Sequence, residues 1–173
     1  MPAAPSRHAA AADLLALRGG ERVLEVGCGH GIALDLVCRR LDSGHATGLD
    51  RSPAMIRAAA RRNAAHLAAG RARLVVAAIE DADLGGARFD RVLGVNVAAF
   101  VRAPGAVAPP VRRRLAPGGA LCLVYEPPPG AGLGDLARRI ETALAPHGFR
   151  VVATAATGTR RLPVLCAVLV PAA

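Results

Sequence analysis

The chain has 173 residues and a formal net charge of +9, and 53% of its residues are hydrophobic. Much of this apolar content is alanine, and charged residues interrupt every long apolar stretch before it reaches the ~20 residues of a membrane span. No apolar segment with a cleavage site marks the N-terminus as a signal peptide. We therefore expect one cytoplasmic domain rather than a membrane protein, because this length suits a single hydrophobic core.

The positive charge does not by itself indicate a nucleic-acid partner. All 22 basic residues are arginine, and they occur as scattered pairs and one triplet, Arg112 to Arg114, rather than as a long block. Aromatic residues, on which single-stranded bases stack, number three phenylalanines and one tyrosine. We interpret most of the arginines as solvated surface residues, whose number reflects a bias toward GC-rich codons. Nucleic acid is the disfavoured alternative partner.

Four cysteines are present, at positions 28, 38, 122 and 166. They show neither a C-x-x-C spacing nor a histidine at metal-ligand distance in the sequence. We predict buried, reduced thiols and no metal site.

Apolar segments of helical and strand character alternate along the chain. Helices are predicted at residues 6–17, 30–41, 52–69, 105–115 and 135–144. Strands are predicted at residues 22–26, 45–49, 73–78, 89–95, 120–125, 149–155 and 164–170, with a turn at 117–119 and a loop at 127–134. This order predicts an α/β fold with a doubly wound, mostly parallel seven-stranded sheet and helices on both faces. The short connection between the last two strands predicts an antiparallel C-terminal hairpin.

The most informative segment is VLEVGCGHG at residues 23–31, where a strand runs into Gly27, Gly29 and Gly31. Glycine permits positive φ and leaves no Cβ to hold a ligand away from the backbone. A strand, a glycine-rich turn and a helix in succession bind nucleotide-like ligands at the carboxyl edge of a parallel sheet. The dinucleotide fingerprint requires a small residue where Ile32 stands, so the spacing here is G-x-G-x-G instead.

With Glu25 inside the strand, this segment resembles the first motif of the class I S-adenosylmethionine-dependent methyltransferases, V-L-D/E-x-G-x-G-x-G. The order of elements is similar to that family along nearly the whole chain. The resemblance implies a Rossmann-like methyltransferase domain over residues 1–173, whose N-terminal helix, within residues 1–20, is expected to cap the cofactor site. It also implies S-adenosylmethionine as the methyl donor and transfer to a small-molecule acceptor by in-line displacement.

Three other functions stay open at this point. An RNA methyltransferase would use the arginine-rich surface, and a non-catalytic module would bind S-adenosylmethionine without transferring its methyl group. An NAD(P)-binding oxidoreductase shares the glycine turn, but Ile32 and the absence of any lysine for a Tyr-x-x-x-Lys pair disfavour it.

The resemblance assigns cofactor contacts to the first strand and its turn. The backbone of Gly27, Cys28, Gly29 and Gly31 is expected to meet the amino-acid portion of the cofactor. Glu25 would help to position the amino group of that portion. The alternative for Glu25 is a structural bond to the N–H groups of the turn.

Asp50 ends the second predicted strand, where a carboxylate can accept hydrogen bonds from both ribose hydroxyls. Its alternative role is a favourable charge at the N-terminus of the next helix, which Ser52 and Pro53 begin. The adjacent Arg51 is also expected among the cofactor-binding residues. Met55 is expected either against the adenine or in the core.

The third motif of the family is altered here. Ala78, Ile79 and Glu80 follow the third predicted strand, where the family commonly has an acid that bonds the adenine amine. The backbone of Ala78 and Ile79, with the carboxylate of Glu80 or of Asp81, would take these roles, with the register open by about two residues.

The candidate catalytic residues are Asn96 and Glu126, which follow the fourth and fifth predicted strands. In related enzymes the position of Asn96 faces the sulfonium and the acceptor, although the N/D-P-P-Y/F signature of amino methyltransferases is absent. A strand-ending asparagine that caps the next segment is the alternative. Further candidates at this edge are Tyr125, His30, Arg160 and Arg161. No pair compels an acid/base assignment, so the general base stays unknown.

Overall fold

The computed structural model describes residues 6–127, 132–158 and 163–172. Its helices are α1 (Arg7–Leu14), α2 (Ile32–Cys38), α3 (Pro53–Arg62), α4 (Ala64–Ala68), α5 (Ala99–Arg102), α6 (Pro104–Arg114) and α7 (Leu133–Leu144), with a 3₁₀ turn at Ala145–His147. Its strands are β1 (Arg22–Val26), β2 (His45–Asp50), β3 (Ala72–Val76), β4 (Phe89–Val95), β5 (Leu115–Tyr125), β6 (Phe149–Gly158) and β7 (Pro163–Pro171).

The seven strands form one sheet in the order β3-β2-β1-β4-β5-β7-β6. The strands from β3 to β5 pair in parallel, and β7 runs antiparallel to both β5 and β6. The predicted doubly wound sheet with a C-terminal hairpin is confirmed. The chain winds outward in one direction from β1 and in the other from β4, so a crevice opens between the loops that follow these two strands.

Both faces of the sheet are covered by helices because alternate residues of a strand point to opposite sides. In β1, Val23 joins a buried cluster with α1 and α2, whereas Leu24 and Val26 join a second cluster with α5, α6 and α7. Phe100 of α5 lies so close to Gly94 of β4 that an added Cβ would come within 2.8 Å of the ring. This fit holds α5 beside the end of β4.

The helix predicted over 52–69 is wrong in one respect, because the structure divides it into α3 and α4 at Asn63. Asn63 is fully buried. Its Nδ2 donates to the carbonyl oxygens of Gly31 at 3.0 Å and Ala59 at 2.9 Å. The break therefore ties the helix pair to the glycine turn. Helix α5 is not predicted by the sequence pattern at all.

Several element ends also differ from the prediction. Helix α1 ends at Leu14 rather than at residue 17, and Ala16 beyond it adopts a φ of 46°. Helix α2 begins two residues late because Gly31 before it has a φ of 71°. Residues 117–119, predicted as a turn, lie within β5, whose register with β4 shifts between Phe89 and Arg91.

All four cysteines are in the described ranges, where they are buried and unpaired. Burial raises the pKa of Cys38 and of Cys122 to about 12, so both thiols stay protonated at neutral pH. None of the helices in the described ranges has the length and apolar character to cross a bilayer.

Candidate active site

The turn after β1 has three glycines in the left-handed region, with φ of 70° at Gly27, 51° at Gly29 and 71° at Gly31. A Cβ on Gly31 would lie 2.4 Å from Nδ2 of Asn63, and one on Gly27 would lie 3.0 Å from Val97. A Cβ on Gly29 would meet no atom within 4 Å. Gly31 therefore packs against the protein, while Gly29 faces open space above the sheet edge.

Cys28 anchors this turn to the fold. Its N–H donates to the carbonyl of Leu49 in β2 at 2.8 Å, and its carbonyl accepts from the N–H of Gly31 at 2.8 Å. Its side chain packs against Gly48, where a Cβ would come 3.1 Å from Sγ. The backbone of Cys28 is thus engaged within the protein, and the open side of the turn is at Gly29.

Asp50 connects the glycine turn to the start of α3. One carboxylate oxygen accepts from the N–H of Gly29 at 2.9 Å, and the other accepts from the N–H of Ser52 at 2.9 Å. Each oxygen keeps a further lone pair for a ligand donor. Ser52 caps α3 by accepting from the N–H of Met55 at 3.3 Å, which confirms the predicted helix start.

Glu25 is a buried carboxyl group, only 3% exposed. Burial raises its pKa to about 8; the Leu34 backbone N–H opposes this rise, and the negative charge of Asp50 adds to it. Its Oε2 has no hydrogen-bond partner among the described residues. A buried carboxyl oxygen without a donor is costly, so this position suits a ligand group that donates hydrogen bonds or carries positive charge.

The remaining predicted cofactor residues lie at the same edge of the sheet. Arg51 is exposed after β2, and Met55 is half-buried in the first turn of α3. After β3, Ile79 buries its side chain at 5% exposure, Ala78 is half-buried, and Glu80 is exposed. Because its side chain is buried, Ile79 has only its backbone to offer an approaching ligand, whereas the Glu80 side chain is exposed to solvent.

Asn96 adopts a φ of 54° immediately after β4. Its N–H donates to the carbonyl of Val124 at 2.8 Å, and its Oδ1 accepts from the N–H of Glu126 at 2.8 Å. The Asn96 side chain is thus engaged within the protein, but it does not cap the next segment as the alternative predicted, because it bonds the chain 30 residues further on. Asn96 joins the ends of β4 and β5 at the crevice.

Glu126 and Tyr125 are both engaged by other groups of the protein. The Glu126 carboxylate forms an ion pair with Arg7 of α1. The Tyr125 hydroxyl donates to the carbonyl of Val97 at 2.6 Å, and burial raises the pKa of Tyr125. Neither side chain is therefore placed as a free general base. Arg160 and Arg161, named above as acceptor-side candidates, lie outside the described residues.

The start of α1 lies across this edge. Arg7 at this start forms the ion pair with Glu126. The pKa of the next residue, His8, is lowered by burial and by the charges of Arg7 and Arg62, while the charge of Glu126 opposes that shift. Arg62 in turn donates to the carbonyl of His30 in the glycine turn at 3.1 Å. These contacts were missed from the sequence because Arg7 and Glu126 are 119 residues apart.

A cavity of about 190 Å³ lies at the ends of β4 and β5, where Asn96 and Ala98 of its lining flank Val97, the residue that faces Gly27 of the glycine turn. It is lined by Asn96, Ala98, Val101, Arg102, Tyr125, Glu126, Leu136 and Arg139. The two arginines of this lining, on α5 and α7, were not singled out from the sequence.

The strand order, the glycine turn after β1 and the carboxylate after β2 define an open α/β fold of the nucleotide-binding type. The chain belongs to the methyltransferase family whose model is described as "Methyltransferase domain"; that model matches residues 23–119, more than half of the chain.

The chain is 32% identical over 167 residues to a trans-aconitate 2-methyltransferase of Methylobacterium nodulans; the match covers 91% of the chain and 59% of that relative. Among solved structures, magnesium protoporphyrin IX methyltransferase of Synechocystis with bound S-adenosylhomocysteine superposes with a TM-score of 0.72 at 20% identity, over 96% of this chain and 82% of the other. A Burkholderia thailandensis 1,6-didemethyltoxoflavin-N1-methyltransferase does so with a TM-score of 0.73 at 19% identity, over 97% and 79%. At these identities the solved structures establish the fold.

Proposed function

We propose that this chain is an S-adenosylmethionine-dependent methyltransferase that acts on a small-molecule acceptor. The observation that carries the proposal is the open face at Gly29, flanked by two acidic groups with hydrogen-bonding capacity left, Glu25 and Asp50. The names of the relatives support the small-molecule class, since trans-aconitate and didemethyltoxoflavin are both small acceptors.

The residues at the crevice fit this cofactor. The free lone pairs of Asp50 suit the ribose hydroxyls, and the partnerless oxygen of Glu25 suits the cofactor's amino group, directly or through water. The backbone of Ala78 and Ile79, with Met55 nearby, would line the adenine side. When bound, the cofactor supplies a methyl group already activated by a sulfonium, so that the protein contributes alignment and a dry pocket.

The chain's own residues align and enclose rather than exchange protons. Asn96 fixes the end of β4 against β5, and Tyr125 fixes the segment after β4 through its bond to Val97. Alignment of this kind contributes ~7–11 kcal/mol to a displacement, more than the ~3–5 kcal/mol of a general base. The engaged state of Glu126 is therefore compatible with catalysis.

The start of α1 supports a covering role. Arg7 pairs with Glu126, and the charges of Glu126 and Arg62 both act on the pKa of His8. Arg62 in turn bonds the glycine turn at the carbonyl of His30. We extend the proposal to a single methyltransferase domain over residues 1–173, in which α1 shields the bound cofactor from water.

The test is a transfer assay with S-adenosylmethionine labelled on its methyl group. The protein is incubated separately with the low-molecular-mass fraction and the nucleic-acid fraction of a cell extract. We expect label to enter the small-molecule fraction and transfer to be lost in Gly29→Val. Gly70→Val is the matched control, since Gly70 also has a left-handed φ, 68°, with no atom within 4 Å of an added Cβ.

Label that enters only nucleic acid would replace this proposal with the RNA-directed alternative. Cofactor binding without label in either fraction would instead favour a non-catalytic binding module.

A further inference from the structure

The cavity beside Asn96 has an excess of positive charge. Arg102 and Arg139 line it, and neither forms an ion pair with a described carboxylate. The acidic side chain of the lining, Glu126, is already paired with Arg7. A ligand that enters this cavity therefore meets two guanidinium groups whose charges no described carboxylate balances.

We propose that the methyl acceptor is a small molecule with at least two carboxylates, one held by Arg102 and Arg139 and another methylated on oxygen. This inference rests on the proposed function. Guanidinium groups bind carboxylates through paired, charge-assisted hydrogen bonds, which makes them well suited to such an anchor. The volume of about 190 Å³ is smaller than the ~300–1,000 Å³ of pockets for drug-sized ligands, so the acceptor is small.

The surroundings of the cavity favour a carboxylate as the reacting group as well. An alcohol or amine acceptor must lose a proton, and the two side chains of the cavity lining that could take it, Glu126 and Tyr125, are engaged with Arg7 and with a backbone carbonyl. A carboxylate, with an ordinary pKa near ~4, is already deprotonated at neutral pH. Such an acceptor requires no base from the protein.

The step balances without a proton transfer. A lone pair of the carboxylate oxygen forms the new C–O bond to the methyl carbon while the C–S bond breaks and its electron pair stays on sulfur. The carboxylate loses its negative charge, the sulfonium loses its positive charge, and the products are a methyl ester and neutral S-adenosylhomocysteine. A second carboxylate is needed for the anchor because a reacting oxygen paired with arginine would be a weaker nucleophile.

Binding is tested by calorimetry on protein saturated with S-adenosylhomocysteine, titrated with succinate, fumarate, glutarate and citrate, and with succinamide as the uncharged control. We expect at least one carboxylate to bind and succinamide not to bind. Arg102→Gln and Arg139→Gln should each weaken that binding by about 10- to 100-fold, the value of a charge-assisted hydrogen bond. Arg138→Gln is the matched control, because Arg138 pairs with Asp135 and does not line this cavity.

The product is tested with methyl-labelled S-adenosylmethionine and whichever carboxylate binds. A methyl ester releases its label as volatile methanol in mild alkali, whereas N-methyl and ether products keep it.

Equal binding of succinamide, unchanged carboxylate binding in Arg102→Gln and Arg139→Gln, or alkali-stable label would each overturn the inference. A protein that binds S-adenosylhomocysteine but none of the carboxylates would also overturn the inference, while the proposed function would stand. Failure to bind S-adenosylhomocysteine at all would instead contradict the proposed function.

Discussion

The stability of the protein should depend on pH through Glu25. Its folded-state pKa of about 8 lies above the ordinary value of 4.5, because the carboxyl group is buried. Between these two values the folded protein keeps a proton that the unfolded chain has lost. The free energy of unfolding therefore falls as pH rises from 4.5 to about 8, and this effect is complete above pH 8.

The size of the effect follows from the shift. Each pKa unit corresponds to about 1.36 kcal/mol, so the difference of about 3.5 units amounts to roughly 5 kcal/mol. Between pH 5 and pH 8 the loss is about 4 kcal/mol, a large part of the roughly 5–15 kcal/mol stability of a typical domain. Glu25→Gln removes the titrating group while it keeps the shape of the side chain.

The assay is urea unfolding of both proteins at pH 5, 6.5 and 8. Other titrating groups contribute equally to both curves, so the difference between wild type and Glu25→Gln isolates this carboxyl group. We expect Glu25→Gln to gain about 4 kcal/mol relative to wild type from pH 5 to pH 8. Parallel pH profiles for the two proteins would refute the reasoning.

Three further outcomes are expected. Binding of S-adenosylhomocysteine near pH 6.5 should release a proton from Glu25, because the ammonium group of the ligand favours the ionised carboxylate. The binding enthalpy should therefore vary with the ionisation enthalpy of the buffer in wild type but not in Glu25→Gln. Gly31→Ala should destabilise the fold by about 2–4 kcal/mol in urea unfolding, because the new Cβ meets Asn63 and alanine is strained at a left-handed φ. Gly29→Ala, which adds only the strain, should cost about 1 kcal/mol. Equal losses of stability in the two variants would contradict this. Tyr125→Phe should lose about 1 kcal/mol of stability, because the hydrogen bond to Val97 is removed, and its Kd for S-adenosylhomocysteine should equal that of wild type. A raised Kd would contradict this and show that the hydroxyl shapes the cofactor site.

The sheet and the glycine turn are predictable because their signals are local. A strand that ends in alternating glycines, followed by a helix, specifies the β1–α2 unit within ten residues. Short right-handed connections then restrict the order of the remaining strands. Asp50 is placed by the same logic, since it ends the neighbouring parallel strand. Both oxygens of Asp50 accept hydrogen bonds from backbone N–H groups. These bonds depend on the folded turn and cannot be predicted from the local sequence.

The features that sequence reasoning missed depend on distant partners. The alanine-rich stretch around Asn63 contains no helix breaker, and the break arises from a carbonyl 32 residues away. Helix α5 spans only four residues, too few for a helical period, and is held by Phe100 against Gly94. Arg102 and Arg139 become neighbours of one cavity only after α5 and α7 pack together.

The most direct test of the methyl-donor site is a calorimetric titration with S-adenosylhomocysteine and, separately, with NADH, on wild type, Gly29→Val and Gly70→Val. We expect wild type and Gly70→Val to bind S-adenosylhomocysteine and not NADH, and Gly29→Val to lose that binding while it stays folded. Binding of NADH alone, or equal affinity of Gly29→Val and wild type for S-adenosylhomocysteine, would contradict the assignment of the glycine turn as the methyl-donor site.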